Sequence, residues 1–515
     1  MRYNMGRLVI WVLAIFWISI TPISLANNDD DGHDLFSLNK DYNCDYKEAL
    51  SKAILFFEGQ RAGKLPPTQR VTWRGDSALA DGMPENVSLS GGYYDAGDNV
   101  KFVWPMSFSV TLLSWAAVEY QKEICSANQM LHLRRAIRWG TDFIINAQAS
   151  PTTLYAQVGD ANGDHRCWER PEDMDTPRTL YKISPESPGS EVAAEAAAAL
   201  AAASIVFKEY DCKYSARLLR RSKLLFQFAD EYRGSFQGSC PFYCSYSGYQ
   251  DELLWAAAWL YKASGEKEYL NYVSSNEGWS HTVSEFSWDN KFAGAQALLA
   301  NEYFKGNGNL EKFKNEADSF VCALMPGSSS VQVKTTLGGL LYTRDSSNMQ
   351  YVTSASMILL VYSRFLDAAN VGGTVNCGSV SFSPSQIKAF AKSQVDYILG
   401  NNPMKMSYMV GYGTKYPNQV HHRGASIPSI YTHPSKVGCN DGLNSWFYSG
   451  NPNPNTHTGA IVGGPNSGDQ FTDSRSDFSH LEPTTYINAA FVGSVAALQA
   501  YPSKDDHLQF IYATM

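Results

Sequence analysis

Apolar residues recur along most of this chain with the period of an α-helix. Leu50, Ala53, Ile54 and Phe57 occupy i, i+3, i+4 and i+7, which puts them on one face, and Gly59 beyond them reads as a stop. The same period predicts helices near residues 106–124, 131–149, 190–208, 212–232, 249–263, 266–273, 290–304, 310–322, 349–366, 384–399 and 483–501. The helix at 384 is the best marked, because Ser383 can cap it, Pro384 opens it and Gly400 closes it. Residues 191–203 are so rich in alanine that this helix should approach its neighbours closely. No convincing period-2 alternation appears, no Ser/Thr/Pro-rich linker divides the chain, and no shift of composition marks a second module. The expectation is an all-α fold, about a dozen helices in one domain, closed into an α/α toroid of six inner and six outer helices.

Three long polar stretches interrupt the helices, at 65–101, 150–188 and 401–482. Structureless segments beyond about 12–15 residues in a compact domain are usually functional or disordered. Their density of Gly, Asp, Trp, His and Tyr argues against disorder. If all three join outer to inner helices, they lie at one end of the toroid and wall a common cleft.

The candidate chemistry sits in these loops. Residues 471–489 gather Asp473, Arg475, Asp477, His480 and Glu482 ahead of Pro483, so Glu482 is expected at the mouth of the last helix. The first loop holds Asp95-Ala96-Gly97-Asp98, a tight turn that can aim two carboxylates at one point, with Pro105 expected to open the next helix. Each has a plainer reading taken singly: a helix-capping glutamate, and a turn that lacks the alternating ligands of a calcium loop. Together they suit hydrolysis of a glycosidic bond. One carboxylic acid protonates the leaving oxygen while a second carboxylate serves the opposite face of the sugar. A pair of aspartates, one taking the proton of a water and one holding it, suits inversion, with carboxyl groups roughly 6.5–9.5 Å apart. A helix N-terminus favours the ionised carboxylate, so desolvation and neighbouring acids must outweigh it if Glu482 is to stay protonated.

Composition narrows the class. The chain is 44% hydrophobic and 18% charged, as a globular protein should be, and its 12 Trp and 30 Tyr exceed what a core needs and suit flat sugar rings. With a formal charge of −8 and no basic stripe interleaved with aromatics, nucleic acid is not an expected partner. Arg2 and Arg7, the apolar run 8–20 and Ser24-Leu25-Ala26 read as a signal peptide over 1–26. Thirteen apolar residues are too few to span a bilayer comfortably, so a secreted, extracellular protein without stable membrane association is expected, with 27–515 as its one domain. All nine cysteines follow that segment, and an odd count leaves at least one without an intramolecular partner. Asn86-Val87-Ser88 is a glycosylation sequon.

Over nearly its whole mature length the chain resembles the plant endo-β-1,4-glucanases (cellulases) of glycoside hydrolase family 9. Ser407-Tyr408-Met409-Val410 with Gly413, Lys415 and Val420-His421-His422-Arg423 resembles the family's first active-site pattern. Phe471-x-Asp473, Phe478, Glu482-x-Thr484 and Asn488-Ala489 resemble the second, and the Asp-Ala-Gly-Asp turn is the third hallmark. The resemblance implies an (α/α)6 barrel that cleaves internal β-1,4 bonds of cellulose and related cell-wall glucans with inversion. By position it makes Asp98 the general base, Asp95 its partner in holding water, and Glu482 the general acid. It sets His421 and Asp473 around the scissile bond and gives His165, Trp168, Arg423 and Tyr486 to substrate binding. The plainer alternatives are a structural His421, an Arg423–Asp473 salt bridge and a core Trp168.

No cofactor is expected to be required. Ser247, Gly248, Asp251 and Glu252 resemble a calcium site of bacterial members, with helix capping as the alternative. Ala78 and Val103-Trp104 depart from plant relatives and bear on substrate preference rather than reaction. About seven residues precede the apolar run and about thirty follow Glu482, which fits neither a long cytosolic tail nor an appended carbohydrate-binding module. A simple secreted monomer is expected. A catalytically silent glucan-binding protein would have no need of both carboxylate sets, and a lyase acting on acidic sugars would be disfavoured by a cleft rich in Asp and Glu.

Overall fold

Twelve helices of nine residues or more alternate between two layers in the computed structural model, which describes residues 44–369 and 373–499. In chain order they are α1 (Tyr46–Gly59), α2 (Val103–Glu119), α3 (Met130–Ala147), α4 (Ser190–Phe207), α5 (Cys212–Glu231) and α6 (Gln250–Ser264). The second half supplies α7 (Lys267–Ser275), α8 (Phe292–Phe304), α9 (Glu311–Leu324), α10 (Met349–Ala368), α11 (Pro384–Leu399) and α12 (Thr485–Leu498). The even-numbered helices form a ring: α2 packs on α4, α4 on α6, α6 on α8, α8 on α10, α10 on α12, and α12 back on α2. Each odd-numbered helix packs outside a ring member. This is an (α/α)6 barrel, and it is all-α in class.

The layers differ for a physical reason. An inner helix meets neighbours all round and has no side to give to water, so α4 buries 16 of its 18 residues. Outer α5 buries 8 of 20 and keeps an amphipathic pattern. Alanines of α4 let adjacent backbones come close. That helix is long and apolar enough to cross a membrane, yet it is buried in the ring, so its apolarity belongs to the core.

Several expectations need correction at the loop ends. A small antiparallel sheet was not anticipated: β1 (Lys101–Phe102), β2 (Gln148–Ser150) and β4 (Leu180–Ile183) each pair with β3 (Thr153–Val158). Every residue of β3 after Thr153 is buried, so the strand has no polar face to produce alternation. Pro105 does not open α2, which begins at Val103; Pro105 sits in its first turn, where an N–H would have no helical acceptor. Nor does Pro483 open α12. Thr484 is the cap, accepting the Ile487 N–H at 3.3 Å, and the helix starts at Thr485.

Disulfides join Cys167 to Cys439, Cys240 to Cys244 and Cys322 to Cys377. The first ties the second long loop to the third. Cys44, Cys125 and Cys212 remain thiols. Asn86 is exposed at a turn. The expected signal peptide 1–26, the following residues to 43 and the chain from 500 lie outside the described residues.

Candidate active site

The Asp95–Asp98 turn is fastened from several sides. The Asp95 carbonyl accepts the N–H of Thr485, the first residue of α12, at 3.0 Å, and the Gly97 carbonyl accepts the Arg423 N–H at 3.0 Å. Gly97 is required by close approach: a Cβ there would stand 2.1 Å from the His421 carbonyl oxygen. The third loop therefore lies directly on the turn and brings its own carboxylate. Glu482 Oε1 accepts the Gly97 N–H at 3.0 Å.

Both aspartates are buried at the floor of a cleft of about 300 Å³, which Glu482, His165, Tyr243 and Tyr486 also line. Phe242 and Trp288 add aromatic wall, and Arg344 and Gln350 line the far side. A larger groove of about 780 Å³ runs between α5 and α7, but its Asp230 is ion-paired with Arg233, so volume does not locate the chemistry.

Burial pushes the Glu482 carboxyl up to about 7, with repulsion from Asp98 adding to it. The expected opposition from a helix N-terminus is weak here, because Glu482 lies before the cap of α12 and its carboxylate reaches the Gly97 amide instead. Burial, then the Asp98 charge, lifts Asp95 well above the usual carboxylate range against the hydrogen bond that Tyr243 donates to its Oδ2. Asp95 Oδ1 is buried with no protein partner. His165 Nε2 lies 3.3 Å from Asp98 Oδ2. Burial acts to lower His165, but the hydrogen bond and charge of Asp98 outweigh it and leave the imidazole raised. His421 is driven down to about 3 by burial and the Arg423 charge, so it is neutral. Its Nδ1 faces the Arg475 carbonyl at 2.7 Å, which can only accept, so the ring proton sits on Nδ1 and Nε2 keeps a lone pair.

Three expected site residues stand back from the cleft. Arg423 is buried and does not line the cleft: its guanidinium donates to the carbonyls of Cys167, Gly97 and Asp164 and pairs with the Asp164 carboxylate at 3.2 Å. Through the Gly97 carbonyl it fastens the aspartate turn. Trp168 is buried too, donating from Nε1 to Ser426 Oγ and packing edge-on against His421 at 4.9 Å. Asp473 accepts the N–H groups of Asn418 at 2.7 Å and Gln419 at 2.9 Å, holding the strand of loop that leads to His421, and it makes no salt bridge with Arg423. Asp477 and His480 pair with each other at 2.8 Å.

Sequence reasoning passed over Phe242 and Tyr243, which the Cys240–Cys244 disulfide brackets; Phe242 packs on His165 with ring centroids 4.3 Å apart. An aromatic pair between two close cysteines was the available signal. It also passed over Asp164, which links the Asn99 N–H to Arg423.

The profile of Glycosyl hydrolase family 9 matches residues 46–495. The chain belongs to glycosyl hydrolase family 9. It is 66% identical over 496 residues to an endoglucanase of Phaseolus vulgaris, covering 96% of this chain and 100% of that one. It is 69% identical over 454 residues to Endoglucanase 18 of Arabidopsis thaliana, covering 88% and 95%. Among solved structures, the endoglucanase of the termite Nasutitermes takasagoensis matches with a TM-score of 0.79 at 38% identity, covering 89% and 99%. The cellulase Cel9M of C. cellulolyticum in complex with cellobiose matches with a TM-score of 0.76 at 30% identity, covering 88% and 98%. The family and these relatives make the chain a cellulase, an endo-1,4-β-glucanase.

Away from the cleft, the candidate metal residues of this endoglucanase gather at the start of α6. Ser247 Oγ lies 3.3 Å from Asp251 Oδ1 and 2.6 Å from the Asp289 carbonyl, and Glu252 meets the Lys291 ammonium at 3.1 Å. Burial and the Asp251 charge raise the Glu252 carboxyl well above its ordinary range, and its Oε2 is buried without a partner. The Asp251 and Asp289 carboxylates already take N–H and O–H donors from Lys291, Tyr246 and Ser247, so Glu252 Oε2 is the one buried oxygen of this set left for a hard cation of calcium type. Asp289, which the sequence did not suggest, joins this cluster through its carbonyl and carboxylate.

Proposed function

We propose that this endoglucanase hydrolyses internal bonds of cellulose and related β-1,4-glucans with inversion, using Asp98 as base and Glu482 as acid. A water held by Asp95 Oδ1 attacks the anomeric carbon from one face. Asp98 takes its proton as the new C–O bond forms, and Glu482 gives its proton to the departing glycosidic oxygen. The carrying observation is that Glu482 accepts the amide N–H inside the aspartate turn, so the two carboxylate sets share one cleft. A glutamic acid raised to about 7 by burial holds the proton that a general acid needs near neutrality. Asp95 lines that cleft and keeps Oδ1 free of any protein donor, which supports its part in holding the water. Cellobiose in the related Cel9M supports a β-glucan as substrate.

His421, neutral with Nε2 able to accept, would take a hydrogen bond from a sugar hydroxyl, and Tyr486 and His165 would meet sugar in the cleft that holds the carboxylates. Asp473 would act by holding the loop before His421. Ser247, Gly248, Asp251, Glu252 and Asp289 would hold a calcium ion, which would brace the start of α6. Three intramolecular disulfides are sustained outside a cell, which supports a secreted enzyme.

Proton NMR of fresh product should show the α-anomer first, and Glu482→Gln and Asp98→Asn should each stop turnover while the fold survives. An initial β-anomer would overturn inversion; near-normal turnover by Glu482→Gln would overturn the acid.

A further inference from the structure

We propose that Gln60 is the positioning residue of the catalytic turn, acting through a buried network with His422 and His457 that fixes one peptide group between the base and the acid. The inference rests on Asp98 and Glu482 carrying the chemistry. Gln60 follows the last residue of α1 and is fully buried. Its Nε2 donates to the Ala96 carbonyl at 2.7 Å and to the Tyr94 carbonyl at 3.2 Å. Its Oε1 faces His422 Nε2 at 2.7 Å and His457 Nε2 at 3.1 Å.

The amide has only one workable orientation. His422 Nδ1 accepts the Ala425 N–H at 3.0 Å, so the ring proton is on Nε2 and points at Gln60. Turning the amide over would set its oxygen against two carbonyls and its NH2 against an imidazole N–H. Burial keeps both rings neutral, driving His457 down to about 3 and His422 well below its ordinary value. The network is therefore uncharged and saturated at Gln60.

The Ala96 carbonyl and the Gly97 N–H belong to the same planar peptide group. Gln60 grips its oxygen and Glu482 accepts its hydrogen, from opposite edges of one plane. A rotation of that plane would swing the N–H away from Glu482 and carry the Asp98 backbone with it. Gln60 therefore sets the orientation of acid and base at once. The sequence motif gives His422 no function; here it is the donor that orients Gln60.

Gln60→Glu supplies the test. A protonated glutamic acid can still donate to Ala96 and accept from both histidines, whereas its carboxylate would face the Ala96 and Tyr94 carbonyls. The charged and titratable groups around this network are Arg74 of the first loop and Arg423 of the third, whose charges act on the histidines, Glu58 and Arg61 on either side in sequence, Asp95 beside the gripped carbonyls, His421, and the two histidines themselves. Every other titratable group is common to the two enzymes, so the variant-to-parent ratio of kcat isolates position 60. At pH 7 on a soluble neutral glucan we expect kcat to fall about tenfold or more, KM to move by about twofold at most, and the kcat ratio to recover as pH is lowered. A pH-independent ratio, or a kcat within about twofold of the parent at pH 7, would overturn the proposal. If that variant does not fold, His422→Gln, which keeps an N–H for Gln60, should retain more kcat than His422→Leu; the reverse order overturns it. Activity retained by Asp98→Asn would instead sink the assignment of the base, an outcome distinct from either result at position 60.

Discussion

His165 Nε2 stands 3.3 Å from Asp98 Oδ2, and that contact, set against burial, leaves the imidazole with a raised pKa. The proton on His165 is thus tied to the charge on Asp98. In Asp98→Asn the largest remaining influence on His165 is burial, which lowers it. An NMR titration of the His165 ring protons should give a lower pKa in Asp98→Asn than in the parent. An unchanged titration would mean that the two groups do not interact in solution.

On the proposed mechanism Glu482 sets the alkaline side of the activity profile. Its acid form is the competent one, and burial with Asp98 repulsion raises it to about 7, so kcat should fall as pH rises through about 7. The stability sign follows from linkage. A carboxyl raised on folding binds its proton more tightly in the folded state, so it costs stability as pH climbs from the ordinary glutamate range through 7. Glu482→Gln should consequently raise Tm at pH 8 relative to the parent and leave Tm at pH 4 nearly unchanged. Differential scanning calorimetry at the two values decides it.

The barrel was legible because its two layers write different patterns. Outer helices such as α5 carry an amphipathic stripe, and α4 carries an alanine run from 193 to 203 broken only by Glu195 and Leu200. Asp95, Asp98 and Glu482 stood out in the sequence because turn-forming Gly or Pro flanks them, and the structure brings all three to one cleft. What could not be read was which polar side chains turn inward. Arg423 lies in a motif beside the reacting groups, yet its guanidinium is spent on three backbone carbonyls and Asp164. Trp168 looked like a sugar platform but is buried against Ser426 and His421. Sequence spacing fixes how far apart residues are along the chain, not the direction of a side chain in an irregular loop. β3 escaped for the opposite reason, since burial of both faces removes the alternation that marks a strand.

Tyr243 reaches Asp95 Oδ2 with its hydroxyl and approaches the Tyr486 hydroxyl at 3.4 Å. The hydrogen bond is the main influence opposing the upward drive of burial on Asp95. Tyr243→Phe keeps the ring packed on Phe102 and Trp288 and removes only that donor. Losing a hydrogen bond to a buried carboxyl costs about 1.5–3 kcal/mol where the group is charged. We expect kcat to drop by roughly ten- to a hundredfold with KM nearly constant, since the lost contact lies on the water side rather than on sugar. A rise in KM at constant kcat would place Tyr243 among the sugar-binding groups instead.

Asp473 offers a way to separate a group that reacts from one that holds. Its carboxylate accepts two backbone N–H groups, from Asn418 and Gln419, just ahead of His421. Asp473→Ala frees both, and because this part of the loop is partly exposed, water replaces some of what is lost. The cost to stability should be near the lower end of the roughly 1–3 kcal/mol expected for an unmade bond. His421 would then be less well placed, so KM should rise and kcat fall by about tenfold. Asp473→Asn keeps one acceptor and should fall between alanine and the parent. Were Asp473 in contact with the reacting groups, both variants would lose activity as fully as Glu482→Gln, by about a thousandfold or more, with Tm unmoved. Steady-state kinetics on a cello-oligosaccharide, read beside Tm for the same three proteins, distinguishes the two patterns.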